Sequence, residues 1–122
     1  MASIKNHTSV DVTKLLLVGD SGSGKTASLA TLANAGYKLR ILDFDNGLDI
    51  LPEFLNDTGV NNVSYVTLKD PMGRAEAFRK GASLISNWKD EDEEYGPVSK
   101  WTNKDVLVID SLTLMGEAAL RA

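Results

Sequence analysis

A glycine-rich segment followed by a lysine and a threonine carries the clearest chemical pattern in the chain. Residues 19–26 read Gly-Asp-Ser-Gly-Ser-Gly-Lys-Thr, which matches glycine, four residues, glycine, lysine and then serine or threonine. Glycines let the backbone curl until successive amide groups point at phosphate oxygens, and a helix that follows adds its unpaired N–H groups. The segment therefore predicts a phosphate-binding loop, against the alternative of a Gly/Ser turn with a surface lysine.

Two side chains of this loop have separate roles in the predicted chemistry. Lys25 brings a mobile positive charge to the β and γ phosphates of a nucleotide, and Thr26 brings a hydroxyl to a Mg²⁺ ion bound by those phosphates. The predicted binding residues are Gly19, Asp20, Ser21, Gly22, Ser23, Gly24, Lys25 and Thr26.

Aspartates follow two of the predicted strands. Asp110 comes directly after the apolar run 106–109, at the carboxyl edge where open α/β sheets bind ligands. This position predicts that Asp110 is a Mg²⁺ ligand. The alternative is an aspartate that caps the next helix together with Ser111. Asp43 and Asp45 flank Phe44 and share one side of an extended strand, so either could orient a water that attacks the γ phosphate. Their alternative is a pair of solvated acids before a turn.

The elements that must position these residues alternate along the chain. Apolar runs predict strands at 15–18, 39–44, 63–68 and 106–109, and helical patterns cover 25–34, a short piece from Pro52 to Gly59, 72–88 and the residues from 112 onwards. The helix at 72–88 is expected to bury Ala75, Phe78, Ala82 and Ile85. Parallel neighbours need crossover helices, so the pattern predicts an α/β fold with a parallel sheet covered on both faces.

Composition narrows the class of protein. The chain has 122 residues and a net charge of −4. It contains no cysteine, and that absence excludes a disulfide scaffold, a thiolate metal site and a cysteine nucleophile. The pattern predicts a polar leader at residues 1–13 and one domain at residues 14–122. Within that domain, residues 88–104 are predicted to form an acidic loop. Trp88 and Trp101 are expected to pack against each other and so to join the ends of this loop. No long apolar segment is present in the sequence, so we expect a soluble, cytoplasmic protein with no membrane partner.

Three segments together resemble the RecA-like recombinase ATPase core, in order and in spacing. They are residues 19–26, residues 42–49 (Leu-Asp-Phe-Asp-Asn-Gly-Leu-Asp) and residues 106–113 (Val-Leu-Val-Ile-Asp-Ser-Leu-Thr). The chain is most similar to bacteriophage-encoded ATP-binding proteins of that core, which are often assigned to single-strand annealing. The resemblance implies a three-layer P-loop NTPase fold of RecA-like type with a mainly parallel sheet, ATP and Mg²⁺ as ligands, and the host cytoplasm as the location.

The resemblance also implies roles for individual residues. Lys25 and Thr26 are the Walker A contacts, and Asp110 is the metal-side acid of Walker B. Asp45 stands where many relatives have the glutamate that activates water, and Asp49 matches a position that can contact the adenine. Aspartate is one methylene shorter than glutamate, so hydrolysis is expected to be slow even where binding is good.

Relatives of this kind continue beyond the second motif and complete their sites across subunits. The resemblance therefore implies a homo-oligomer, a chain that is the N-terminal part of a longer protein with the sheet incomplete at its C-terminus, and contacts to single-stranded DNA through segments beyond residue 122. The activity implied is ATP binding and hydrolysis in phage-type DNA recombination or single-strand annealing. The alternatives are a P-loop kinase of a small molecule or nucleotide, and a nucleotide-dependent switch module without hydrolysis.

Overall fold

The computed structural model describes residues 24–71, 74–90 and 93–122. In chain order the elements are α1 (Lys25–Asn34), β1 (Lys38–Asp43), α2 (Leu51–Phe54), α3 (Asp57–Val60), β2 (Val63–Thr67), α4 (Ala77–Ser86), β3 (Trp88–Lys89), β4 (Glu94–Gly96), β5 (Asp105–Asp110) and α5 (Leu112–Arg121). The predicted first strand, at residues 15–18, and the loop residues Gly19 to Ser23 lie outside the described residues.

Three strands form a parallel sheet in the order β2-β1-β5. Strand β1 lies in the centre, and its last residue, Asp43, is level with Thr67 of β2 and with Asp110 of β5. All three strands run in one direction because each is connected to the next through helices, as parallel neighbours require. The predicted α/β class with a parallel sheet is confirmed, and the carboxyl ends of the strands meet at one edge.

Helix α1 covers one face of the sheet. Its Ala30 and Ala33 pack with Leu39 and Ile41 of β1, and Leu51 of α2 closes the same apolar cluster. The helix has the predicted bounds, and the chain leaves it through Gly36 at φ 104°, a left-handed conformation that favours glycine. The predicted short helix from Pro52 to Gly59 is instead two single turns, α2 and α3, and Gly59 lies inside the second.

Helices α4 and α5 cover the opposite face. Leu42, Phe44 and Leu68 form the sheet side of this second apolar cluster, in which Leu84 and Ala118 are buried residues of the two helices. The predicted bounds of the helix at 72–88 were wrong, and its predicted contact face was right only in part. The observed helix is shorter, it buries Ala77, Gly81 and Leu84, and the expected core residue Ala82 is exposed.

The reason for the shift in contact face lies at Gly81. A Cβ atom there would lie 3.2 Å from the Leu68 side chain and 3.3 Å from Phe44, so α4 approaches the sheet through its one residue without a side chain. Phe78 and Ile85 still pack at the margin of the cluster, as partly buried residues.

The described part of the acidic segment at 88–104 contains regular elements where a loop is predicted. Strands β3 and β4 pair antiparallel within it, and a 3₁₀ turn follows at Val98–Lys100. Trp88 and Trp101 pack with ring centroids 5.6 Å apart, which joins the ends of the segment as expected. The Arg40 guanidinium lies 3.7 Å from the ring centroid of Tyr95 and 4.7 Å from that of Trp101.

No helix in the described ranges has the length and apolarity needed to span a membrane.

Candidate functional site

The carboxyl edge of the sheet brings the predicted charged residues together on the face covered by α1. Side chains alternate along a strand, so Asp43 shares a face with Leu39 and Ile41. Asp110 is level with Asp43 on the neighbouring strand and shares its face with Val106 and Val108, which pack in the α1 cluster. The carboxylates therefore lie on the side of the sheet where α1 begins.

Helix α1 starts with a backbone suited to an anion. Gly24 precedes it at φ 94° and ψ 9°, a backbone conformation that residues with a side chain rarely adopt. The first turn of the helix carries no acidic residue. Lys25 is exposed and Thr26 half-buried at its first two positions. This end of α1 thus offers backbone N–H groups, an ammonium group and a hydroxyl to a phosphate.

Asp110 lies in an electrostatic field made by residues of α1, of β1 and of the turn that follows β1. Burial raises the pKa of its carboxyl above the ordinary value, the negative charges of Asp45 and Asp43 raise it further, and the Lys25 ammonium lowers it. The Lys25 ammonium, far from Asp110 in sequence, therefore lies near enough to favour the charged form of that carboxyl. Burial is the largest of these causes, and the two neighbouring aspartates add negative charge that a bound cation would offset.

The donor set fits Mg²⁺ bound together with phosphates. Asp110 supplies a carboxylate and Thr26 a hydroxyl, both oxygen ligands of the kind that Mg²⁺ takes in proteins. No group of three or more His, Cys, Asp or Glu suited to holding a metal occurs in the described residues. A cation at this edge would thus need oxygens from a bound nucleotide as well, as is usual for Mg²⁺ at phosphate sites.

Asp45 is the carboxylate that faces solvent. It follows the end of β1, is exposed, and its Oδ1 accepts a hydrogen bond of 2.9 Å from the Ser111 hydroxyl. Ser111 also accepts a bond of 3.3 Å from the Leu114 N–H, so it caps α5 while it holds Asp45. The predicted capping role of Ser111 is confirmed, and the Asp110–Ser111 peptide bond is cis.

Asp43 has a different environment from Asp45. Its side chain is fully buried, and it accepts bonds of 2.8 Å from the Asn46 N–H and 3.2 Å from the Thr67 hydroxyl. The alternative of two solvated acids is therefore wrong for Asp43. Its two oxygens hold the turn after β1 and the end of β2, which leaves Asp45 as the accessible carboxylate beside Asp110.

Comparisons with models of protein families, with curated proteins and with solved structures found no match for this chain.

The other predicted site residues have no described contact with the carboxylates at the sheet edge. Asp49 is exposed in the turn before α2. Gly19, Asp20, Ser21, Gly22 and Ser23 lie outside the described residues, so their predicted phosphate contacts remain predictions.

Three residues contact the predicted aspartates although the sequence does not predict these contacts. Ser111 was predicted as a helix cap and not as a partner of Asp45, while Thr67 and Asn46 had no assigned role. The sequence signal that could have indicated these contacts is strand register, because residues at the ends of neighbouring parallel strands lie at one level. The backbone confirms that level, since the Phe44 N–H donates a bond of 2.6 Å to the Asp110 carbonyl and the Leu68 N–H one of 2.8 Å to the Asp43 carbonyl.

Proposed function

We propose that the chain is an ATP-binding and ATP-hydrolysing domain of RecA-like type that acts in DNA recombination or single-strand annealing. The observation that carries the proposal is geometric: Asp110, at the end of β5, lies level with Asp43 on the face of the sheet that α1 covers, and α1 begins at Lys25, directly after Gly24. A phosphate-binding lysine and a metal-side acid must lie close together to hold one triphosphate. The glycine-rich loop sequence ahead of Lys25 supports the same ligand.

The site residues have distinct roles in this proposal. Gly24 and the first turn of α1 bind phosphate oxygens through N–H groups, and Lys25 neutralises charge on the β and γ phosphates. Thr26 and Asp110 would hold Mg²⁺, which supplies charge neutralisation on the phosphates when it is bound. Asp45 orients the attacking water, and Asp49 contacts the base. A homo-oligomer and single-stranded DNA are proposed partners.

The experiment is ATP hydrolysis by this chain and by the longest available form of the protein, with and without single-stranded DNA. Lys25→Ala should abolish turnover and ATP-dependent thermal stabilisation, because the phosphates lose their cation. Lys80→Ala removes an exposed lysine from α4, on the opposite face, and is the matched control. Turnover that Lys25→Ala leaves unchanged would contradict the proposed site, and turnover indifferent to DNA would contradict the recombination role.

A second candidate, a nucleotide-dependent switch without hydrolysis, is favoured by one observation. The carboxylate of Asp45 is already bonded to the Ser111 hydroxyl at 2.9 Å, on a side chain shorter than that of glutamate. Such a domain would bind ATP through the same residues and change assembly or conformation instead of turning over. ATP-dependent stabilisation that is lost in Lys25→Ala, together with no hydrolysis under any condition, would select this candidate.

A further inference from the structure

A cavity of about 660 Å³ lies beside the carboxyl edge of the sheet, on the face covered by α4 and α5. Phe44 and Leu68, which follow β1 and β2, form part of its wall, and Ala77 of α4 and Leu114 of α5 add to that wall. All four belong to the apolar cluster on that face. Asp110 and the start of α1 lie on the other face, so the cavity is separate from the candidate nucleotide site.

The cavity also has an excess of positive charge. Lys69, Arg74 and Arg121 all line it, and Asp70 is its one acidic residue among the lining residues described. The chain as a whole carries a net charge of −4, so this local excess opposes the overall balance. A concave surface with cations of one sign concentrates anions from solution.

Asp70 does not neutralise all of these cations, because its two oxygens are engaged in holding the fold. Its Oδ1 accepts a bond of 2.7 Å from the Ala77 N–H at the start of α4, and its Oδ2 bonds to Arg121 Nε. The Ala77 N–H and the Arg121 side chain together lower the pKa of Asp70, so it remains charged and paired.

Two cations are thus left for a ligand. Lys69 makes no ion pair with any residue in the described ranges. Arg74 lies 3.6 Å from Glu76, with both side chains more than half exposed, and ion pairs of that kind contribute little. A negatively charged group could replace Glu76 at Arg74 at small cost, and Lys69 could bind the same group.

We propose that this cavity binds an organic anion that combines a small apolar body with a phosphate or carboxylate group. The apolar wall would contact the body, and Lys69 and Arg74 would bind the charged group. The volume lies within the range of about 300–1,000 Å³ that small-molecule sites occupy, and an apolar wall with few convergent polar groups is their usual composition. The proposal is independent of the proposed ATPase function, since it uses the other face of the sheet.

The test is a titration of the whole chain with phenyl phosphate and, separately, with benzoate, followed by amide chemical shifts in ¹⁵N NMR spectra. Saturable shifts are expected at Leu68, Lys69, Ala77 and Leu114 with at least one of the two probes. The stronger probe identifies the charged group. Inorganic phosphate and benzyl alcohol, which each carry half of the proposed chemistry, should bind at least fivefold more weakly than that probe.

Variants separate the cavity from other sites. The double variant Lys69→Gln/Arg74→Gln should weaken binding of the stronger probe at least fivefold, and both side chains are exposed, so the fold should persist. Lys80→Gln, an exposed lysine of α4 outside the cavity, should bind like the parent chain. The shifts should also persist in Lys25→Ala, which disables the candidate phosphate loop. Equal binding by the double variant, or loss of the shifts in Lys25→Ala, would overturn the proposal.

Discussion

Asp45 is the residue on which turnover depends in the proposed ATPase. It is exposed and lies beside Asp110, and the Ser111 hydroxyl fixes one of its oxygens at 2.9 Å. The other oxygen is left to orient a water molecule. Orientation of the nucleophile matters more than base strength in phosphoryl transfer, so in the proposed ATPase we expect the position of that oxygen to set the rate of hydrolysis.

Asp45→Glu should raise the rate of ATP hydrolysis, because one additional methylene carries the carboxylate further towards the γ phosphate. An increase of about tenfold in kcat corresponds to about 1.4 kcal/mol of better positioning. Steady-state hydrolysis at saturating ATP and Mg²⁺ measures it. Asp57→Glu, which lengthens an exposed aspartate in α3, is the control and should leave the rate unchanged. An unchanged rate in Asp45→Glu would assign the water to another group.

At the scale of elements, one side chain of α1 forms hydrogen bonds to the backbone at the junction between the one-turn helices α2 and α3. Asn34, the last residue of α1, donates from Nδ2 to the Phe54 carbonyl at 3.0 Å and accepts at Oδ1 from the Asn56 N–H at 3.0 Å. Gly59 packs directly against this amide. A Cβ atom at Gly59 would lie 2.0 Å from Asn34 Oδ1, which is an impossible approach.

Gly59→Ala should therefore destabilise the chain by about 1–3 kcal/mol, since Asn34 must move and lose its bonds to the backbone. Urea denaturation followed by circular dichroism measures the change. Gly116→Ala is the matched control, because this helical glycine of α5 has no neighbour within 4 Å of an added Cβ. That control should raise stability by about 0.5–1 kcal/mol. Equal effects from the two substitutions would contradict the close contact at Asn34.

The elements differ in how well the sequence predicts them. Helix α1 and the strands β1, β2 and β5 were predicted to within one residue, because Gly36 follows α1, β2 alternates in polarity, and the apolar residues of β1 and β5 end at aspartate. Strands β3 and β4 are two and three residues long, too short for any periodic pattern. The contact face of α4 was predicted only in part, because close approach through Gly81 is a property of packing, which periodicity does not encode.

At the scale of the whole molecule, some features of the candidate site could be predicted from the sequence and others could not. The position of Asp45 and Asp110 at one edge could be predicted, because parallel strands place their carboxyl ends together. The difference between Asp43 and Asp45 could not, since the two residues have the same type and lie two positions apart. Only register with Thr67 and the turn at Asn46 decide which carboxylate is buried.

The segment at 88–104 is joined to the rest of the molecule through Arg40. This side chain, on β1, pairs with Asp105 of β5 at 2.6 Å, and both side chains are largely buried, with 10% and 14% of their surface exposed. The ring of Tyr95 stacks on the same guanidinium. One cation thus links two strands of the sheet and the acidic segment, so its partner Asp105 affects the stability of the whole fold.

The effect of Asp105 on stability should depend on pH in a definite direction. Burial alone would raise the pKa of Asp105, but hydrogen bonds from Thr102 and the Arg40 guanidinium outweigh it and hold the pKa below its ordinary value. A lowered native pKa means that the unfolded chain binds the proton first as the pH falls. The contribution of Asp105 is therefore complete above pH of about 5 and is lost progressively below about 4.

Asp105→Asn should accordingly lower stability by about 1–2 kcal/mol at pH 7, because a bond to a charged partner is weakened, and the deficit should shrink as the pH falls below about 4. Thermal unfolding of both proteins from pH 7 to pH 3 measures it. Glu117→Gln removes an exposed carboxylate from α5 and should give the parent curve at every pH. A deficit that stays constant down to pH 3 would show that Asp105 acts through packing and not through its charge.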